Sequence, residues 1–358
     1  MSGGVMTGAN PESEKIASYP LFDWLRFVLA SVVVLAHAQI LPPGPINGGL
    51  AVDVFFALSG WLIGGILLRT QRVELPRFFF NRATRIWIPY LAAVILLYTI
   101  AAMREGIDIH WFKYLFYDAT FTHNLFTIFP AAAQEMPLRG SGNQFWSIAV
   151  EEQFYLFAPI IMFLVPAGKQ IWPWLVVAVV CLMLGTHAAP IALGVIAAIL
   201  QRDIGDWHIT ASARLALLIA AIASLSSLFL WPAASFSAAL RSLFAISTVL
   251  LLAVEGKRYA TAVFAGGISF PLYLNHWLPL AFVHGATKNY FPVSPIVETM
   301  IAYAGAVAFS AVAYIVIDRQ VLARRQQWYS RALAIRLATI AYATMAIGII
   351  GGLLIAWR

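Results

Sequence analysis

Two residues in the first apolar segment, Arg26 and His37, are separated by eleven positions. At 100° per residue that separation is ~1100°, about 20° past three full turns, so a helix would carry both side chains on one face with a rise of roughly 16 Å between them. A fixed cation and a titratable base along one stripe suit proton removal and stabilisation of a developing negative charge. The plainer reading has Arg26 snorkelling to an interface, Asp23 neutralising it and His37 satisfied in a core. Further along, Asp53 precedes Phe55-Phe56 and Ser59-Gly60. A carboxylate there needs a partner, and Arg26 on the neighbouring helix is a candidate. Ser59 and Gly60 are small enough for close approach by a ligand or by another helix.

Three later groups have the same character. Arg82 and Arg85 are spaced i, i+3 on one helical face. They would either grip phosphates as planar forks or anchor the chain to anionic lipid. In Trp146-Ser147-Ile148-Ala149-Val150-Glu151-Glu152-Gln153-Phe154-Tyr155, the residues Ser147, Glu151 and Tyr155 fall at i, i+4 and i+8 and share a face, while Glu152 points elsewhere. A carboxylate beside His37 would fix its tautomer and raise its basicity. In Ser269-Phe270-Pro271-Leu272-Tyr273-Leu274-Asn275-His276-Trp277, Tyr273 and His276 share a face, and the segment reads either as a helix kinked at Pro271 beside a cavity or as part of an aromatic belt.

The elements that must position these groups are membrane helices. The chain has 358 residues, 61% hydrophobic and 11% charged, against about 25% charge in a soluble domain. Its apolar stretches are long and do not alternate, which predicts helices, not strands. The fold class is therefore all-α, a polytopic bundle of about ten or eleven spans. They lie near Leu21–Leu41, Leu50–Leu68, Ile86–Met103, Phe145–Val165, Ile171–Leu184, Pro190–Leu200, Leu215–Trp231, Ser237–Val254, Ala262–Val283, Val297–Ile317 and Leu333–Trp357. Residues 1–20 read as a disordered cytoplasmic tail, 21–331 as the main transmembrane domain and 332–358 as an additional helix. With the N-terminus inside, sixteen Lys and Arg fall on the inner side and six on the outer, Arg26 being intramembrane, as the positive-inside rule requires. The single cysteine, Cys181, excludes an intramolecular disulfide and a cysteine metal cluster. The net charge of +7 reports orientation and not nucleic-acid binding. The stretch 104–143 holds Trp111, Tyr114, Tyr117, His123 and Asn124, suited to stacking on sugars or to an interfacial belt.

Taken in order, these segments resemble the acyltransferase-3 family of bacterial membrane proteins from about Leu21 to Asp318. Arg26 and His37 match its Arg-x10-His signature. Phe55, Phe56, Ser59 and Gly60 match Phe-Phe-x-x-Ser-Gly, and Arg82 and Arg85 match Arg-x-x-Arg. Trp146, Ser147, Glu151, Phe154 and Tyr155 match Trp-Ser-x-x-x-Glu-x-x-Phe-Tyr. Ser269, Tyr273, Leu274 and His276 match Ser-x-x-x-Tyr-Leu-x-His. Two departures stand out. No basic residue precedes Asp23 within Ser18–Phe22, and Asp318-Arg319-Gln320 replaces a frequent Glu-x-Pro.

The resemblance implies an O-acetyltransferase of the bacterial inner membrane, with acetyl-CoA as the donor and no metal. The acceptor would be a hydroxyl of a polysaccharide or glycolipid. His37, oriented by Glu151 or Asp53, would take the hydroxyl proton, and Arg26 or Ser59 would stabilise the oxyanion. An acetyl-histidine route is also open. Arg26, Arg82, Arg85, Ser147, Tyr155, Tyr273 and His276 would contact the donor. The rival reading is a secondary transporter, since broken helices and intramembrane charges also mark transport sites.

Overall fold

The computed structural model describes residues 18–127, 129, 131–232 and 235–357. Most of the expected N-terminal tail, 1–17, lies outside them. The described residues form helices and no strand. Seven helices are long and apolar enough to cross a membrane, and the chain is an integral membrane protein.

In chain order the principal helices are α1 (Pro20–His37), α2 (Gly48–Arg69), α3 (Leu75–Glu105), α4 (Ile109–Ala119), α5 (Phe145–Leu164), α6 (Ile171–Met183) and α7 (Ala189–Ile204). They continue with α8 (Ala211–Leu230), α9 (Ser237–Leu252), α10 (Ala260–Asn275), α11 (Trp277–Asn289), α12 (Pro295–Ala313), α13 (Arg319–Trp328) and α14 (Arg331–Ala356). Their ends follow local chemistry. Asn47, Asp108, Thr210, Ser294 and Ser330 each accept a hydrogen bond from the backbone N–H three residues on, satisfying a donor that the first turn leaves free. Gly106 and Gly205 end α3 and α7 with φ of 85° and 75°, the left-handed region that glycine enters without a Cβ clash.

Two expected spans have a different form. Helix α3 begins at Leu75, not near Ile86, so Arg82 and Arg85 sit inside a helix instead of in a connecting segment. The span expected over Ala262–Val283 is broken at His276. The break falls where Pro279, having no N–H, cannot bond to the carbonyl of Asn275 four residues earlier.

Helix α2 packs on α1, α7 and α9, α10 packs on α1, and α14 packs along α3. The α2–α7 crossing is made by glycines. A Cβ on Gly60 would run into the carbonyl of Ile191, and one on Gly194 into the carbonyl of Ala57. Gly60 is thus a packing residue, in keeping with small-residue crossings in membranes. Helix α10 comes as close to α1 at Gly266, where a Cβ would lie 2.7 Å from Asp23 Oδ1.

Between α3 and α5, three of the residues suited to stacking on sugars face inward. Tyr114, Tyr117 and His123 are buried. Asp118 organises them, accepting from Tyr98 Oη at 2.7 Å and pairing with His123 Nδ1 at 2.6 Å, while its carbonyl accepts from Tyr90 Oη at 2.9 Å. Trp111 donates to the carbonyl of Tyr98 at 3.0 Å. Asn124 and Gln153 exchange two amide hydrogen bonds of 3.0 and 2.7 Å. The last helix closes over this unit with Gly348, Gly351 and Gly352, against which Thr120, Phe116 and Phe126 pack.

Candidate active site

A cavity of about 120 Å³ lies between α1, α2, α3, α5 and α10. Its polar lining consists of Arg26, Ser59, Arg82, Arg85, Ser147, Glu151, Tyr155, Ser269 and Tyr273, and Phe55, Phe56 and aliphatic residues complete the wall. Five helices thus deliver to one space most of the groups that sequence spacing sets on single faces. Three guanidiniums face one carboxylate there. Arg26 lies 3.7 Å from Asp23, but Asp23 is committed elsewhere, accepting from Arg258 Nε at 2.7 Å and Nη2 at 2.8 Å. The basic partner absent from Ser18–Phe22 is therefore supplied by a residue over two hundred positions away in sequence. Arg82 stands over the Tyr155 ring at 6.0 Å, a cation–π contact, and its Nε is buried with no hydrogen-bond partner among the described residues.

Glu151 does not reach His37. One of its oxygens accepts from both Ser59 Oγ and Tyr155 Oη, so the carboxylate ties α2 to α5 and leaves its second oxygen free of those two donors. Glu152 is buried against α3, where it accepts from Trp87 Nε1 at 2.9 Å.

Asp53 departs further from expectation. It is buried, faces away from Arg26, and lies 2.9 Å from His187 Nδ1 and 3.2 Å from Arg241 Nε. It does not line the cavity and does not orient His37. The Arg241 contact is an ion pair whose angles are poor for a hydrogen bond, which leaves Asp53 Oδ2 and Arg241 Nε without such partners. Trp146 packs against His187 with ring centroids 5.0 Å apart and meets Phe56 of the cavity wall edge-on at 5.9 Å. Sequence reasoning misses His187, Arg241 and Arg258. The turn Thr186-His187 between two short spans and the isolated Arg241 at a helix start are the signals that could have found the first two.

His37 is held instead by His276. Their rings are 4.9 Å apart, and His276 Nε2 lies 3.1 Å from His37 Nδ1. The tautomers follow from the partners. His276 Nδ1 faces only the carbonyls of Tyr273 at 2.9 Å and Leu272 at 3.2 Å, so it carries the proton and its Nε2 accepts. His37 Nδ1 faces that Nε2 and the Val33 carbonyl at 3.0 Å, two acceptors, so it too carries a proton. His37 Nε2 is then a bare lone pair on an exposed ring, while His276 is buried.

Arg26 and His37 share α1, as their spacing predicts, but they do not share the cavity, since His37 and His276 are not in its lining. Tyr273 joins the two places. Its ring lines the cavity and stands 6.5 Å from His276, and its hydroxyl is fixed by Ser147 Oγ at 2.5 Å and the Gln144 carbonyl at 3.0 Å. The arrangement is a cation-rich chamber and, past a tyrosine wall, an imidazole poised as a base.

A family model described as an acyltransferase domain matches residues 19–315, from just before α1 into the turn that succeeds α12. The chain belongs to the acyltransferase-3 family. All the residues of this acyltransferase-3 cavity and the His37–His276 pair fall within the match, whereas α13 and α14 lie beyond it. Among curated proteins, the chain is similar to the peptidoglycan O-acetyltransferase OatA of Listeria monocytogenes, 31% identical over 153 residues, which are 39% of this chain and 23% of the relative. It is also similar to the O-acetyltransferase OatA of Staphylococcus aureus, 31% identical over 160 residues, 40% of this chain and 24% of the relative. The chain spans about a quarter of the length of these curated relatives. No solved structure matches it.

Proposed function

We propose that this acyltransferase-3 chain moves an acetyl group from acetyl-CoA, approaching from the cytoplasm, to a hydroxyl of a saccharide or glycolipid on the other side of the bacterial inner membrane. The observation that carries this reading is the division of labour between the two places. Arg26, Arg82 and Arg85 against Glu151 alone leave the chamber with excess positive charge, which in a membrane interior calls for an anionic ligand. Guanidinium forks suit phosphates. Beyond Tyr273, His37 Nε2 has the lone pair that a base needs.

In this mechanism the acceptor hydroxyl gives its proton to His37 Nε2 as its oxygen attacks the thioester carbonyl. His276 Nε2 accepts from His37 Nδ1 and steadies the imidazolium that forms. Arg26, which lines the chamber and shares α1 with His37, would face the developing oxyanion. Ser59, whose proton goes to Glu151, is less suited to that task than Arg26. Collapse of the tetrahedral intermediate expels the CoA thiolate, and the imidazolium supplies a proton to it. For the two places to meet, Tyr273 must give way to the acyl arm. The relatives are named for O-acetyl transfer, one of them onto peptidoglycan, and this supports the reaction class. The excess of Lys and Arg on one side supports an N-terminus in the cytoplasm.

The test is label transfer. Membranes containing the protein, given acetyl-CoA labelled in the acetyl group, should acquire label in a glycan, and His37→Ala protein that still inserts should label it at least about 100-fold more slowly. Labelling by His37→Ala at the wild-type rate would end the proposal, and transport without covalent change would establish the rival.

A further inference from the structure

Beyond the residues matched by the family, α13 lies alongside the start of α3, the helix that carries Arg82 and Arg85 into the chamber. Three contacts fix the crossing. Arg77 Nη2 donates to Gln326 Oε1 at 2.7 Å, Arg77 stands over the Tyr329 ring at 5.1 Å, and Phe80 meets Tyr329 edge-on at 5.3 Å. Residues 326–329 therefore lie beside 77–80, while Asp318 lies within electrostatic reach of Arg85. Helix α13 thus runs antiparallel to the first turns of α3, with Arg325 beside the turn from Asn81 to Arg85. The Arg325 guanidinium is near enough to repel those of both Arg82 and Arg85.

Two features mark this crossing as more than packing. First, a π-helical turn at Tyr314–Asp318 separates α12 from α13. One inserted residue rotates the next helix by about 100°, and this rotation sets the face carried by α13. Second, a donor is left over. Among the described residues, Arg82 Nε is buried without a hydrogen-bond partner, which is costly unless an acceptor pairs with it. Like charges held together by a fixed crossing, one of them with an unpaired N–H, suit an anion with several oxygens.

We propose that Arg325 completes, with Arg82 and Arg85, a clamp for the diphosphate of a nucleotide-bearing donor at the basic end of the chamber. The inference rests on acetyl-CoA being the donor and adds a binding residue from outside the matched domain. An anionic lipid headgroup would offer the same phosphate chemistry, so the test separates the two sources.

Purified protein in vesicles is assayed with acetyl-CoA and with S-acetylpantetheine, which has the thioester and arm but no phosphate. Arg325→Gln should raise the KM for acetyl-CoA about tenfold, the loss of one charge-assisted contact. It should leave kcat, and the KM for S-acetylpantetheine, near wild type. Arg325→Lys, which keeps the charge but loses the fork, should fall between, and it serves as the readout if Arg325→Gln does not fold. Arg324→Gln, at the exposed neighbouring position, should match wild type. Equal changes for both donors, or no change for either, overturn the clamp. So does a defect that appears only when phosphatidylglycerol is included in the vesicles, which would assign Arg325 to lipid. If wild-type protein transfers from neither donor, the donor reading falls and the clamp with it. If wild type uses acetyl-CoA and Arg325→Gln retains its KM, the clamp alone falls.

Discussion

His276 Nε2 accepts the proton that His37 Nδ1 carries, across 3.1 Å, and this one contact decides which nitrogen of His37 is free. A base at His37 is worth roughly 100- to 10,000-fold in rate, so His37→Ala should lower kcat by that factor. His276 touches no substrate in this arrangement and is a positioning residue. His276→Ala should lower kcat about tenfold, the equivalent of one hydrogen bond, with an unchanged KM for acetyl-CoA. His276→Gln, which restores an acceptor for His37, should recover part of the loss. A purely structural role would instead lower the amount of folded protein without that rescue.

Glu151 serves two hydroxyls with one oxygen. Glu151→Gln keeps an acceptor there and should fold. By removing the only carboxylate that lines the chamber among the described residues, it should also hold or lower the KM for acetyl-CoA. Glu151→Ala leaves Ser59 and Tyr155 without their acceptor, at a cost of about 2–3 kcal/mol. Thermal unfolding in detergent of the two variants, compared with donor KM, separates charge from scaffolding.

The Asp53–Arg241 pair ties α2 to α9. Asp53→Asn strands a cation that is only 34% exposed, and a loss of roughly 1–3 kcal/mol results, less than for a fully buried pair because water still reaches Arg241. Removing the cation as well, in Asp53→Asn with Arg241→Gln, should restore much of it. The measurement is a double-mutant cycle of unfolding midpoints, and strict additivity would refute the coupling.

A pH effect belongs to the segment between α3 and α5. The Lys113 ammonium, hydrogen-bonded at 3.0 Å, holds the Glu135 carboxyl below its ordinary value of 4.5, with Tyr114 Oη contributing at 3.2 Å. A carboxyl whose folded value is depressed stabilises the fold above its unfolded value, and the contribution is lost as pH falls through the folded one. Wild type should therefore lose thermal stability relative to Glu135→Gln on acidification from about pH 5 downward. Lys113→Ala should reduce the difference, with Tyr114 and His110, the latter 3.7 Å from Glu135, sustaining the remainder.

Much of the architecture is legible in the sequence because it is local. The eleven-residue spacing of Arg26 and His37 fixes a shared helix face whatever surrounds it, and apolar length alone locates the helices. The i, i+4, i+8 spacing of Ser147, Glu151 and Tyr155 likewise forecasts one face. Partner choice is not legible, because it depends on which helices become neighbours. Asp53 is closer in sequence to Arg26 than to Arg241, yet it turns toward α9 because the Gly60–Gly194 crossing sets α2 against α7 and rotates that face away from α1. The expected mechanism sets Glu151 or Asp53 beside His37, but the break at His276 puts another imidazole there. The aromatics of 104–143 suggest display because no periodicity announces that Asp118 gathers them inward.

The Gly60–Gly194 contact has a mechanical corollary. With backbone against backbone and no side chain between them to change rotamer, α2 and α7 have nothing to slide on and behave as one rigid slab. Yielding of the tyrosine wall must then come from the opposite bank, where the helix is already interrupted at His276. The hinge that would admit an acyl group is thus the same residue that sets the proton on His37, so passage of the arm and readiness of the base are governed at a single point.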